Sequence, residues 1–238
     1  MTVHPALSGD HHVHSTFSDD AVSTLAENVA AAHAAGLTEL RLVDHVRADT
    51  SWVPEFLAAV AALEIPDSLT VHTGVEAKIL DSSGALDLPS GLDGVDRILI
   101  ADHQFPGTDG PWSPSTTIER LAAGLSPDDA LDLLLGGIIG AMRRHPGNQL
   151  AHCFSILPKV GLDESMLGPE RLAAWAHTAA ATDTLVEVNE KWGCPGPAAI
   201  AAARAAGVRL VASTDSHLAS DIGRYDRVAA LLGEAAPT

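Results

Sequence analysis

The sequence predicts an α/β fold, a single-domain and distorted (β/α)7 barrel of TIM-like type. Three observations lead there. Seven short runs rich in Val, Ile and Leu recur along the 238 residues, and alanine-rich segments of helical period lie between them. Several of those segments end in Ala-Gly just before the next run, as a helix C-terminus does. Strand then helix, repeated, calls for a parallel sheet covered by helices, and seven short buried strands suit a barrel better than an open sheet.

The runs in order are GDHHVHS from residue 9, TELRLVDH from 38, LTVHTGVEAKI from 69, VDRILIADH from 95, NQLAHCF from 148, TLVEVNE from 184 and VRLVASTDSH from 208. Helices are expected near 24–35, 53–63, 170–181 and 196–206, where apolar residues recur at helical spacing. The stretch 113–146, with TTIERLAAGL and SPDDALDLLLGGIIGAMRRH, reads as a helical insertion between the fourth and fifth runs, placed to cap one end of the barrel. No low-complexity linker, charge run or long repeat divides the chain, so residues 1–238 are expected to form one domain.

Composition narrows the function. With 14 basic against 31 acidic residues the formal charge is −17, which repels a phosphate backbone at long range, so no nucleic-acid partner is expected. No stretch reaches the roughly 18 apolar residues of a membrane span, and the start MTVHPALSGD lacks signal-peptide features. A cytoplasmic protein is the expectation. Cys153 and Cys194 are the only cysteines, too few for a thiolate zinc cluster. Any metal must be held by nitrogen and oxygen.

Such atoms fall at the strand ends. His12 and His14 close the first run, His45 follows LRLVD, Glu76 ends VHTGVE, His103 follows RILIAD, His152 ends QLAH, and Asp215 and His217 follow VRLVAST. In a parallel barrel these ends open on one face, where residues distant in sequence converge. The strand period of two puts His12 and His14 on one face and His11 on the other, and pairs Asp215 with His217 in the same way. Asp19, in the first loop, offers another oxygen, and Asp10 is placed to support a histidine as a hydrogen-bond acceptor. A mixed imidazole and carboxylate set suits zinc, manganese or iron better than calcium or magnesium. The remaining histidines, His4, His11, His33, His72, His145 and His177, are read as structural.

The string HHVHSTFSDD, followed in order by VDH, GVEAK, ADH, AHCF, VEVN and STDSH, resembles the PHP family, named for polymerase and histidinol phosphatase domains. The resemblance runs from residue 10 to about 228. It implies a distorted seven-stranded barrel with two to three divalent metal ions, a trinuclear site when full. By position, it implies that His12, His14, Glu76 and Asp215 hold a first metal, that Glu76 bridges to a second with His103 and His152, and that Asp19, His45 and His217 hold a third. The contexts ADHQF and AHCF depart from the family's SVH-like and HP-like patterns, which bears on pocket shape rather than on ligand atoms.

The expected activity is metal-dependent hydrolysis of a small-molecule phosphomonoester, histidinol-phosphate phosphatase-like, by metal-activated hydroxide attacking phosphorus. Asp215 is expected to orient the nucleophile, Glu76 to bridge, and a strand-end histidine such as His217 to protonate the leaving oxygen. Arg47, Lys159, Lys191 and Arg224, each following a strand end, are the candidate phosphate-binding cations. Trp192, Trp112 and Phe105 are candidates to pack on the organic part of the substrate. Three alternatives stand beside this: a TIM-barrel amidohydrolase, for which Lys78 beside Glu76 is the candidate bridging lysine, a nucleic-acid phosphodiesterase, and a barrel whose site has decayed into a structural or regulatory metal module. Oligomeric state is not legible in the sequence.

Overall fold

A computed structural model describes residues 4–234; residues 1–3, part of the stretch read for a signal peptide, and 235–238 lie outside the described residues. In chain order the elements are β1 (Gly9–Val13), α1 (Leu25–Ala34), β2 (Glu39–Val46), α2 (Val53–Ala61), β3 (Thr70–Lys78), β4 (Arg97–Ala101), the small hairpin β5 (Phe105–Pro106) and β6 (Pro111–Trp112), α3 (Pro114–Ala122), α4 (Pro127–Arg144), β7 (Gln149–Ala151), α5 (Gly168–Ala181), β8 (Leu185–Asn189), α6 (Pro197–Ala205), β9 (Leu210–Ser213) and α7 (Arg227–Glu234). Among them, no helix is long and apolar enough to cross a membrane.

Seven strands pair in parallel in the order β1-β2-β3-β4-β7-β8-β9. The two ends of this sheet nearly meet. Val13 bridges Ser216 in parallel, and the His14 amide donates to the Ser216 carbonyl at 2.8 Å. The result is the distorted seven-stranded barrel that the strand pattern predicts. Part of the distortion is a register shift on β1 between Asp10 and Val13, an irregularity of the kind that re-aims side chains at barrel rims.

Strand alternation sorts the side chains. Leu40 and Leu42 of β2 pack outward with Val29 and Ala32 of α1 and Phe56 of α2, while Val43 joins Leu99, Ala101 and Ala151 in a separate small core. Because His45 lies two residues beyond Val43, it shares the inner face. Helix α1 starts where Thr24 and Glu27 form a reciprocal capping box, and Ser113 and Ser126 cap α3 and α4 with proline next in each.

Helix α4 does not cap the barrel. Its buried residues Leu131, Leu134, Ile138 and Met142 share a core with Ile100 of β4, Leu150 of β7 and Trp175 of α5, so it lies in the outer ring as part of the crossover from β4 to β7. An apolar stripe on an 18-residue helix is most stable against the sheet. The approach of the 81–84 turn to this helix needs glycine. A Cβ on Gly140 would sit 2.3 Å from the Ser83 carbonyl oxygen, and one on Gly84, whose φ is +84°, would sit 2.1 Å from the Ala141 amide.

Candidate metal centre

The C-terminal strand ends bring five imidazoles around one buried carboxylate. Glu76, near the end of β3, has its Oε1 2.9 Å from His103 Nε2 and 2.9 Å from His152 Nε2. Its Oε2 lies 3.0 Å from His45 Nδ1, 3.3 Å from His12 Nε2 and 3.5 Å from His14 Nε2. The two oxygens thus face different sets of nitrogens, the arrangement of a carboxylate that bridges two cations. Asp215 Oδ1 closes on the second set, 3.4 Å from His14 Nε2. His152 and Asp215 both have left-handed backbone, φ +27° and +53°, uncommon for residues with a Cβ.

A third group gathers at the rim. His217 Nε2 and His45 Nε2 lie 3.2 and 3.5 Å from Asp20 Oδ2. Here the structure corrects the sequence reading: Asp20, not Asp19, is the carboxylate that meets these histidines, and Asp19 only lines the same cavity. The chain between is pinned by Ser18, whose hydroxyl donates to Asp44 and accepts from the His45 amide, and by the Val22 amide donating to the His217 carbonyl. Those tethers present Asp20 to the histidines.

The buried centre fits cations better than it fits itself. His12 Nε2, His14 Nε2 and Glu76 Oε2 are all buried without a hydrogen-bond partner, although they lie within ion-pair range of one another. Their lone pairs converge on common space instead of pairing, and an unpaired buried polar atom costs about 1–3 kcal/mol. Ligand atoms of His12, His14 and Asp215 lie within 4.8 Å of one another, as do those of His45, Glu76 and His103, and of His14, His45 and His217. Nitrogen and carboxylate oxygen are the donors that zinc, manganese and iron share.

Protons occupy this centre in the absence of cations. Burial opposes ionisation of Glu76, yet His103 and His12 beside it hold its carboxyl well below the usual range. Burial likewise works against charge on Asp215, and the contact with His14 together with His12 and His152 overcomes it, so this carboxyl is lowered. Burial disfavours charge on His152, but Asp102 and Glu76 push it up to about 10. His14 is the exception, depressed to about 3 chiefly by burial.

Buried acids outside the cluster hold its histidines from behind. Glu187 of β8, fully buried, lies 3.1 Å through Oε2 from His12 Nδ1 and accepts from Gln149 Nε2 at 3.0 Å. Through Oε1 it accepts from the His152 amide at 2.6 Å and Asn189 Nδ2 at 2.7 Å. Asp102 Oδ1 lies 3.3 Å from His152 Nδ1 and accepts from the Ser155 hydroxyl at 2.9 Å. Asp44 accepts from Ser15 and Ser18, and the Ser18 hydroxyl lies 3.4 Å from His14 Nδ1. Such partners orient ligand imidazoles and set which nitrogen keeps its lone pair.

Sequence reading missed these supports. Their signal was the repeated Asp-His of VDH and ADH, in which adjacent strand residues face opposite ways. Asp102 accordingly meets His152 of the neighbouring strand end directly, and Asp44 reaches His14 through the Ser18 hydroxyl. Asp10, expected in this role, instead accepts from the Thr214 amide at 3.0 Å, the Thr214 hydroxyl at 2.6 Å and the Gly223 amide at 3.2 Å. It fastens β1 to the segment after β9. His11 meets Glu39 at 3.6 Å, away from the cluster.

A cavity of about 400 Å³ opens over the centre, lined among others by Arg47, Lys78, Lys191 and Trp192. Lys191 Nζ lies 3.5 Å from Asp215 Oδ1, and Lys78 Nζ lies 3.6 Å from Asp87 Oδ2. Arg224 lines an adjoining cavity of about 350 Å³ that shares Lys191, Asp215 and His217. Lys159 departs from its expected place: its ammonium stands 3.8 Å over the Trp192 ring and does not line the main cavity. Phe105 and Trp112 are buried and stacked on each other in the β5–β6 hairpin, so they anchor that loop.

Residues 10–190 match the family model of the PHP domain. A probable phosphatase of Shewanella sediminis is 27% identical over 234 residues, which cover 95% of this chain and 85% of that protein. A probable phosphatase of Acetivibrio thermocellus is 27% identical over 237 residues, covering 94% and 86%. The crystal structure of histidinol phosphate phosphatase from Lactococcus lactis, complexed with zinc, L-histidinol and phosphate, aligns with a TM-score of 0.66 at 17% identity, covering 95% of this chain and 93% of that one. At that identity the likeness establishes the barrel architecture.

Proposed function

Because the chain belongs to the PHP domain family, we propose that it is a metal-dependent phosphatase that hydrolyses a small-molecule phosphomonoester. The observation that carries this reading is Glu76, whose two oxygens face separate sets of imidazoles. His12, His14, Asp215 and Glu76 Oε2 would hold one cation, His103, His152 and Glu76 Oε1 a second, and Asp20, His45 and His217 a third. Bound divalent cations supply Lewis acidity, lowering the pKa of water at the site and offsetting charge that builds on the phosphoryl oxygens.

The chain's own residues supply orientation and proton traffic. Asp215, held between His14 and Lys191, is placed to receive the proton of the attacking water. Lys191 and Arg47 line the cavity over the centre and would meet an ester's non-bridging oxygens. With the rim site empty, His217 beside Asp20 would give a proton to the alkoxide as the ester P–O bond breaks; with that site filled, its lone pair would go to the cation and the proton would come from water. The cavity's size suits a metabolite, and its lining mixes Asp19, Asp20 and Asp87 with three cations, which disfavours a polyanionic nucleic-acid strand. Lys78 is paired with Asp87 while Glu76 holds the central place, which disfavours the lysine-bridged amidohydrolase.

The test is phosphate release by protein loaded with zinc, manganese or iron from a panel of sugar, amino-alcohol and nucleotide monophosphates, with histidinol phosphate as the first named candidate. Release from one or a few members is expected, and none from any member overturns the proposal. Arg47→Ala and Lys191→Ala should each lower kcat/KM about tenfold or more with metal content unchanged. Arg224→Ala, in the side cavity, should cost less.

A further inference from the structure

The loop after β8 brings a tryptophan to Asp215 from outside the ligand cluster. Its path is set by Asn189, whose side-chain oxygen accepts from the Trp192 amide at 2.9 Å and whose backbone amide donates to the Cys194 carbonyl at 2.8 Å. From that turn the Trp192 indole N–H donates to Asp215 Oδ2 at 2.9 Å. The other carboxylate oxygen, Oδ1, faces His14, Lys191 and His217. One side of the carboxylate is thus committed to the indole and the other to the centre.

We infer that Trp192 is a positioning residue for Asp215: its N–H fixes the carboxylate's rotation so that only Oδ1 is offered to a cation and to the reacting water. The inference rests on the metal-site reading above. Three features support it. Asp215 is almost fully buried on a left-handed backbone, so its side chain has few other ways to satisfy Oδ2. The Trp192 ring is itself held, edge to face with His152 at 6.2 Å between centroids and under the Lys159 ammonium at 3.8 Å. A cation over the indole face withdraws electron density from the ring and makes the N–H a stronger donor. Trp192 is also 40% exposed, more than a residue kept only for packing requires. Lys159 acts here one step behind the tryptophan.

The experiment compares wild type with Trp192→Phe, which keeps an aromatic ring and removes the donor. Zinc affinity is read by chelator competition, and kcat and KM are read with whichever monophosphate wild type cleaves. Failure of wild type to bind zinc would sink the metal-site reading itself. Given binding, Trp192→Phe should lose about tenfold or more in zinc affinity and in kcat, with KM within about twofold. In an Asp215→Asn background the same substitution should add little, because its effect passes through that carboxylate. Zinc affinity and kcat equal to wild type in Trp192→Phe overturn the inference, as does a rise in KM alone, which would make Trp192 a wall for the substrate's organic part. Because the residue is partly exposed, the variant should keep its fold; Lys159→Met, which leaves the indole in place, should show a smaller loss in the same direction.

Discussion

Replacing Glu187 by glutamine should uncouple His12 from the metal centre while leaving the barrel folded. The carboxylate has four hydrogen-bonding partners: the His152 amide and Asn189 Nδ2 at Oε1, His12 Nδ1 and Gln149 Nε2 at Oε2. A glutamine has one oxygen, so two partners must face an NH2 group. The His152 amide cannot turn, and turning Asn189 would cost the bond its oxygen receives from Trp192. The new oxygen therefore stays at that end and the new NH2 points at His12 and Gln149. Gln149 Oε1 is buried without a partner, so a flip of Gln149 would accept one of the two hydrogens, at the expense of its bond to the His11 carbonyl. The other is directed at His12 Nδ1. That nitrogen then becomes an acceptor, the ring proton moves to Nε2, and the lone pair facing Glu76 is lost. Two disturbed buried bonds at about 1–1.5 kcal/mol each predict a loss of about 2–3 kcal/mol in stability of the metal-free protein. Loss of the orienting partner predicts about 10- to 100-fold weaker metal binding. Zinc affinity by chelator competition, beside circular dichroism and a denaturant melt, measures both. A folded Glu187→Gln protein that binds zinc like wild type would refute the tautomer argument.

Three further outcomes follow from the geometry. Asp20→Asn should reduce metal content by about one equivalent in elemental analysis after supplementation, whereas Asp19→Asn should not, and the reverse would restore the original reading of the loop. The cluster should release protons when it binds cations, because metal-free His152 keeps its proton up to about pH 10 and its ligand nitrogen must shed it. Affinity should therefore rise with pH through the neutral range, and calorimetric heats should differ between buffers of unlike protonation enthalpy; identical heats would contradict it. The sign for the metal-free fold is opposite: a histidine raised from 6.5 contributes stability that is full below 6.5 and fades as pH rises through about 10. Finally, Gly140→Ala should destabilise by about 1–3 kcal/mol although alanine is the better helix former, since its Cβ would meet the Ser83 carbonyl at 2.3 Å. A raised melting temperature would show that the 81–84 turn moves aside freely.

Much of the candidate centre is legible in the sequence. Side chains at the ends of apolar runs converge in any parallel barrel, so the gathering of His12, His14, His45, Glu76, His103, His152, Asp215 and His217 on one face follows from position and alternation. The Asp19 reading failed because residues 15–24 form a turn without periodicity, where adjacent aspartates are equivalent in sequence. Tethers made in the folded chain, among them Ser18 to Asp44 and Val22 to His217, separate them. Asp10 is misread because its partners, Thr214 and Gly223, lie more than 200 positions away in the chain. Helix α4 misled because an apolar stripe tells that a face is buried, not which surface buries it.

The division has one physical cause. Strand period and strand-end chemistry are local, and they were enough to specify a parallel barrel with a histidine and carboxylate face. Which carboxylate stands behind which imidazole is a pairwise matter between residues as far apart as His12 and Glu187, which lie 175 positions apart in the chain. Register, bulges and loop tethers set those pairs. They decided that Glu187 orients His12, that Asp20 reaches the rim histidines, that Trp192 holds Asp215 and that Lys159 stands over Trp192.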